Sequence, residues 1–202
     1  VKWDDDAYII YNPLIQDFSW NGIKAIFTSI DVSNYHPLTT LSNAVELKLF
    51  GLQPAHFHAV NVLIHLLNVV LVFFFIRILT GQNFLALFCA FFFGVHPMHV
   101  ESVTWVSERK DVLYALFFLS SMIFYLYFLQ RKKSKYFYFL SLGAFAGSLL
   151  SKSAAVTLPV ILLLLDYQQD RKWNWKWLVE KIPFFLLSVF CYCSGGYGAS
   201  AK

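Results

Sequence analysis

The sequence predicts an all-α protein, a polytopic bundle of transmembrane helices, on three observations. Of its 202 residues, 58% are hydrophobic and only 14% are charged, against about 25% charge in an ordinary soluble domain. Phenylalanine alone occurs 22 times, more apolar surface than a water-soluble core of this size can cover. The apolar residues also come in blocks rather than in a one-sided stripe, the pattern of helices surrounded by lipid.

The elements follow in order. Residues 1–55 read as a polar, aromatic first loop on the non-cytoplasmic side. It is rich in turn signals (Asn12-Pro13, Asn21-Gly22, His36-Pro37) and carries a short helix over 41–50 that Gly51 stops. Residues 56–193 form the transmembrane domain. Its first span, 57–79, has 23 residues where about 20 suffice. Residues 84–95 are apolar but rise only about 18 Å, against a hydrocarbon core of about 30 Å. That helix must tilt, borrow its neighbours or end in a cavity, and His96-Pro97 breaks it. Residues 98–108 read as an amphipathic helix near the interface, with Trp105 as anchor. A second clear span covers 112–130. Residues 136–150 and 154–165 are apolar blocks around Ser151-Lys152-Ser153, and 182–193 begins another. Residues 194–202 form a tail outside the fold, and a chain that starts at Val1 is expected to be a fragment of a larger protein.

Charge orients these elements. With the first loop outside, Arg131-Lys132-Lys133-Ser134-Lys135 falls inside, as the positive-inside rule requires. A hairpin at 151–153 also puts Arg171, Lys172, Lys176 and Lys181 inside, whereas one continuous helix over 136–165 puts them outside. The hairpin parse gives nine basic and three acidic residues inside, and nine acidic and six basic residues outside. The overall charge of +4 therefore belongs to short orienting loops and does not point to nucleic acid. Cys89, Cys191 and Cys193 lie in apolar blocks and read as buried thiols, without a disulfide framework.

Several constellations invite chemistry. Trp3-Asp4-Asp5-Asp6 packs three carboxylates beside a membrane. A metal, a hydrogen-bond partner or a raised pKa relieves their repulsion, and one of them fits a general base toward a hydroxyl; the plainer reading is a solvated acidic turn. His96-Pro97-Met98-His99-Val100-Glu101, followed by Glu108-Arg109-Lys110-Asp111, offers two imidazoles and carboxylates for a divalent metal or proton transfer. Arg109 and Lys110 there suit a lipid-linked phosphate, and the plainer reading is an interfacial helix with snorkelling charges. His58, Asn61, His65 and Asn68 share one helix face. Interhelical hydrogen bonding explains them best, with His58 and Asn61 nearest the outer end and closest to a site. Lys152, at the outer hairpin, is either a snorkelling lysine or a phosphate ligand. Gly143-Ala144-Phe145-Ala146-Gly147 reads as helix packing. P-loop, G-x-S-x-G, H-E-x-x-H and Cys-x-x-Cys motifs are absent.

Taken in order, these residues resemble a known family. The run is Trp3-Asp4-Asp5 with Asn12, then Tyr35-His36-Pro37-Leu38 to Leu41-Ser42, Gly51, His58, Asn61-Val62-Leu63-Ile64-His65 and Asn68. It continues through His96-Pro97-Met98-His99-Val100-Glu101-Ser102-Val103-Thr104-Trp105-Val106, Arg109-Lys110-Asp111, Leu150-Ser151-Lys152, Val156-Thr157-Leu158-Pro159 and Asp166-Tyr167. Over about residues 3–182 it resembles the amino-terminal membrane half of the transmembrane and tetratricopeptide-repeat proteins. These are C-type (GT-C) polyprenyl-phosphate-sugar-dependent glycosyltransferases related to protein O-mannosyltransferases. The ending over 162–167 is similar to the bacterial branch.

The resemblance implies an active site on the non-cytoplasmic face, a lipid-phosphate-linked sugar donor and a protein hydroxyl acceptor. It implies a carboxylate base at Asp4 or Asp5, and His99-Val100-Glu101 as the counterpart of a second acidic motif. Arg109 and Lys152 are then the donor-phosphate residues. His96, His99, Glu101, His58 and Asn61 are substrate candidates, and Asp5, His99 and Glu101 form a candidate set for a divalent metal (Mg or Mn), which some C-type enzymes use and others do not. The setting is the bacterial inner membrane, or the endoplasmic reticulum in a eukaryote. The helix expected before Val1 and the tetratricopeptide repeats expected after 182 are absent, so the fragment by itself is expected to be inactive. Ser153 departs from the acidic residue or proline that many relatives carry there. Two other functions compete: a transporter or flippase, whose path intramembrane His and Asn residues would line, and a membrane scaffold for protein partners.

Overall fold

The computed structural model describes residues 6–29, 35–131, 134–171 and 174–196. All regular structure among them is helical. Trp3, Asp4 and Asp5 lie outside the described residues, as do 30–34, Lys132, Lys133, Lys172, Trp173 and residues 197–202 of the expected tail, whose first three residues, 194–196, continue the last helix.

The first loop folds into a small layer of its own. A π-helical turn, Asp6–Ile10, leads to α1 (Pro13–Gln16), α2 (Trp20–Thr28) and α3 (Pro37–Phe50). Asn12 caps α1 by accepting the Leu14 N–H at 2.9 Å, and Ser19 caps α2 by accepting that of Gly22 at 3.2 Å. Pro37 starts α3 four residues before the predicted helix. Gly51, at φ +69°, ends it as expected. Tyr8, Ile9, Ile15, Ile26 and Ala44 form an apolar cluster with Phe57 and Val106, which docks the layer onto the first spans.

Two helical stretches among the described residues are long and apolar enough to cross a membrane: α4 (Pro54–Thr80) and residues Val106–Gln130. The second comprises a 3₁₀ turn, Val106–Glu108, and α7 (Arg109–Gln130). Between them, α5 (Asn83–Val95) meets the segment Pro97–Thr104 at a 50° bend, and the pair counts as a third span when taken as one broken helix. The interfacial helix expected over 98–108 is instead three short pieces. A 3₁₀ turn at Pro97–His99 leads into α6 (Val100–Thr104), and extended Trp105 separates α6 from the 3₁₀ turn before α7. Then come α8 (Lys135–Ser151), a 3₁₀ segment Ser153–Thr157, α9 (Leu158–Gln168) and α10 (Trp175–Gly196).

Polar groups fix how the helices pack. Asn61, His65 and Asn68 of α4 are buried. They bond to the carbonyls of Trp105 at 3.3 Å, Gly94 at 3.2 Å and Val112 at 2.8 Å, which is the interhelical role expected of that face. His58, expected to share it, is exposed, because Phe57 takes the buried position at this level. Between α7 and α8, Ser121 and Ser141 each donate to the other's carbonyl, at 2.8 and 2.9 Å. Around them Phe118, Tyr125, Leu126, Phe145, Leu158, Leu162 and Phe184 make the main core.

Only one end of the Gly143–Gly147 pair serves the helix contact. A methyl group on Gly147 would sit 3.0 Å from the Phe117 ring, while Gly143 faces open space. Gly147→Leu is therefore expected to destabilise the bundle by about 1–3 kcal/mol through overpacking, and Gly143→Leu by less than about 0.5 kcal/mol. Thermal unfolding in detergent micelles checks the difference.

Charge separates the two ends of the bundle. Gln130 bonds to the Ile78 carbonyl at 3.3 Å and Tyr138 to that of Glu180 at 2.9 Å, so both basic loops gather at one end. There Asp166, completely buried, accepts from Tyr125 at 2.9 Å, from Arg171 at 3.0 Å and from buried Lys181. At the other end, Lys152 pairs with Asp111. Since Asp111 and Tyr125 lie about 21 Å apart along α7, residues 152 and 166 occupy opposite ends. The chain turns back after Ser151, as the hairpin parse requires.

Candidate active site at the acidic end

At the end away from the basic loops, five parts of the chain line a cavity of about 230 Å³, room for several water-sized groups. His65 and Asn68 come from α4, Phe93 from α5, His99 and Ser102 from the broken segment, and Asp111 and Tyr114 from α7. Lys152 and Ala154 complete the wall. Each is placed by a local signal. Pro97 stops α5, and His96 caps the next turn by accepting the Met98 N–H on Nδ1 at 3.2 Å, which turns His99 back over α4. Lys152 ends α8 in extended backbone, with its N–H on the Ser148 carbonyl at 3.0 Å.

Lys152 is the cavity's cation. Its ammonium donates to Asp111 Oδ1, the two side chains being 34% and 27% exposed, and Ser102 Oγ donates to the other Asp111 oxygen at 3.4 Å. His99 lies 4.3 Å from the Phe93 ring, 5.6 Å from His65 and 6.0 Å from His96, centroid to centroid. A cation, a carboxylate and an imidazole thus face one half-open, aromatic-walled space.

Arg109 stands elsewhere than expected. It is fully buried, and each of its three guanidinium nitrogens donates one hydrogen bond: to Glu46, to Asn61 Oδ1 at 2.9 Å and to the Phe57 carbonyl at 3.1 Å. It ties α3 to α4 and α7, and it presents no free edge to a phosphate. Asn61 is part of that clamp rather than of the cavity wall. Lys110 pairs with Glu108 at 3.0 Å and sits 5.5 Å over the Tyr8 ring, joining the first loop to the mouth of α7. Glu101 is exposed on α6. Among the described residues no three His, Cys, Asp or Glu side chains converge as a metal site; Asp5, one of the expected ligands, lies outside them, as do both expected catalytic residues.

Sequence reasoning missed both charge pairs. Asp111 and Lys152 are 41 residues apart, and Glu46 and Arg109 are 63 apart. The only available signal was that isolated charges beside apolar runs need partners.

Residues 37–194 match the family described as dolichyl-phosphate-mannose-protein mannosyltransferase. Among curated proteins, the chain is 31% identical over 166 residues to mouse (Mus musculus) protein O-mannosyl-transferase TMTC1, covering 75% of this chain and 18% of that protein. To human (Homo sapiens) TMTC2 it is 34% identical over 137 residues, 66% of this chain and 16% of the relative. To human TMTC4 it is 31% identical over 169 residues, 74% and 23% respectively. The chain therefore spans about a fifth of the length of these relatives. No solved structure matches it.

Proposed function

The chain belongs to the dolichyl-phosphate-mannose-protein mannosyltransferase family, and from that premise we propose that it forms the donor side of a membrane glycosyltransferase. The proposed reaction moves mannose from a polyprenyl-phosphate donor to a protein hydroxyl on the non-cytoplasmic face. The observation that carries this reading is the cavity at the acidic end, where Lys152 sits beside Asp111 and His99.

The chemistry runs as a single displacement with inversion. The donor's sugar–phosphate head enters the cavity from the bilayer, and Lys152 meets the phosphate as a point charge. The acceptor oxygen attacks the anomeric carbon as the bond from that carbon to the phosphate oxygen breaks. The electron pair leaves on polyprenyl phosphate, and the acceptor proton passes to Asp4 or Asp5 as general base. Tyr8, near the start of the described residues, lies beneath Lys110 at the head of α7. Lys152 takes the phosphate role, and Arg109 serves as the clamp that holds the first loop over the spans. His99 faces the donor, while His96 orders the turn that presents it. Glu101 and His58, exposed near the same end, remain candidates for acceptor contact. The buried Asn61, His65 and Asn68, all bonded to backbone carbonyls, favour this reading over a transport path.

Lys152→Gln in the intact protein is expected to lower kcat/KM for polyprenyl-phosphate mannose by about 10- to 100-fold, the worth of one charged hydrogen bond. Transfer assayed in nanodiscs checks it, and unchanged kcat/KM counts against the assignment.

A further inference from the structure

Resting on the proposed role of Lys152, we propose that Asp111 is a positioning residue that competes with the donor phosphate for that lysine and sets how readily the lipid-phosphate product leaves. Lys152 already has an anion. Asp111 Oδ1 accepts from its ammonium, and Ser102 holds the second Asp111 oxygen at 3.4 Å. Asp111 is fixed on the first turn of α7 and cannot follow the lysine far. Lys152 is a long side chain on extended backbone just past the end of α8, so it can swing between two partners. The pair is about one-third exposed and lines the cavity, so exchange needs no opening of the core.

A phosphate entering the cavity therefore takes Lys152 from Asp111. The freed carboxylate keeps its Ser102 contact and repels the phosphate, which bears like charge. When transfer leaves polyprenyl phosphate behind, the return of Lys152 to Asp111 helps to expel it. The buried Arg109–Glu46 pair differs in this respect, since its guanidinium is fully buried and does not line the cavity.

The test measures binding of a short-chain polyprenyl monophosphate to the intact protein in nanodiscs, with inorganic phosphate as a second probe, and the kcat and product-inhibition constant for transfer. Asp111→Asn and Asp111→Ser are expected to bind the lipid phosphate at least about fivefold more tightly, with a lower product-inhibition constant and a reduced kcat. Lys152→Gln is expected to bind more weakly, and Lys152→Gln with Asp111→Asn no better than Lys152→Gln alone. A lipid source predicts that inorganic phosphate competes only at far higher concentration; equal competition assigns the site to free phosphate and overturns the product-release role. If Lys152→Gln binds as well as the unaltered protein, the donor-site reading itself fails. If Lys152→Gln loses binding but neither Asp111 variant gains it, the competition alone fails. Because the pair is partly exposed, both Asp111 variants are expected to stay folded; unfolding of both makes Asp111 a structural residue and overturns the proposal.

Discussion

Replacing Asp4 and Asp5 together by Asn in the intact protein is expected to lower kcat for glycosyl transfer by about 10²- to 10⁴-fold, the usual contribution of a positioned general base. Donor binding is expected to change little. The acceptor hydroxyl is a poor nucleophile until its proton can leave, and an amide of the same shape cannot receive that proton. The donor's phosphate, by contrast, is held by Lys152 on a different element. Single variants separate the two carboxylates: the base shows nearly the whole loss, and its neighbour shows a small one. Single-turnover assays with saturating donor, alongside equilibrium binding of the donor, measure the two effects independently. Undiminished turnover in the double variant removes both aspartates from the mechanism.

Arg109→Met is expected to destabilise the protein by about 3–5 kcal/mol, because it strands the Glu46 carboxylate, 4% exposed, without its charge partner. The guanidinium also closes hydrogen bonds to Asn61 and to the Phe57 carbonyl, so both α4 groups lose a donor. Arg109→Met with Glu46→Leu is expected to recover most of that loss, since removing both ions removes the stranded charge as well. Denaturation in micelles reads the cycle. A single variant as stable as the unaltered protein contradicts the clamp. Because the clamp holds α3, and with it the first loop, the single variant is also expected to lower kcat more than donor affinity.

The fold was legible in the sequence where the signal is local. The stretches 57–79 and 112–130 are apolar without interruption, and lipid asks nothing more of a helix. Each proved longer at its polar start, where Pro54 opens α4 and the turn Val106–Glu108 runs into α7. Loop charges resolved the reversal after Ser151, since only that turn collects Arg171 with Arg131 at one end. The stretch 98–108 misled because its amphipathic pattern hides Trp105, whose extended backbone breaks the helix. Arg109 misled for a different reason. Counting residues along one helix places it at the rim, but Glu46 reaches it from a helix 63 residues earlier, and no periodicity encodes a pairing over that distance. Lys181 likewise reads as an orienting loop charge and proves to be buried on Asp166. Of the site, Lys152 and His99 were visible as polar residues beside breaks in apolar runs, whereas Asp111 acquires its meaning only from the lysine opposite.

The most direct measurement is proximity between the acidic amino-terminal run and the cavity wall. With Cys89, Cys191 and Cys193 replaced by Ser, Asp5→Cys and Ala154→Cys in the intact protein should join through a short bifunctional maleimide, and donor present in the cavity should slow the joining. If each cysteine reacts singly but from opposite faces of sealed vesicles, the base and the phosphate ligand cannot act on one donor, and the proposed transfer site does not exist.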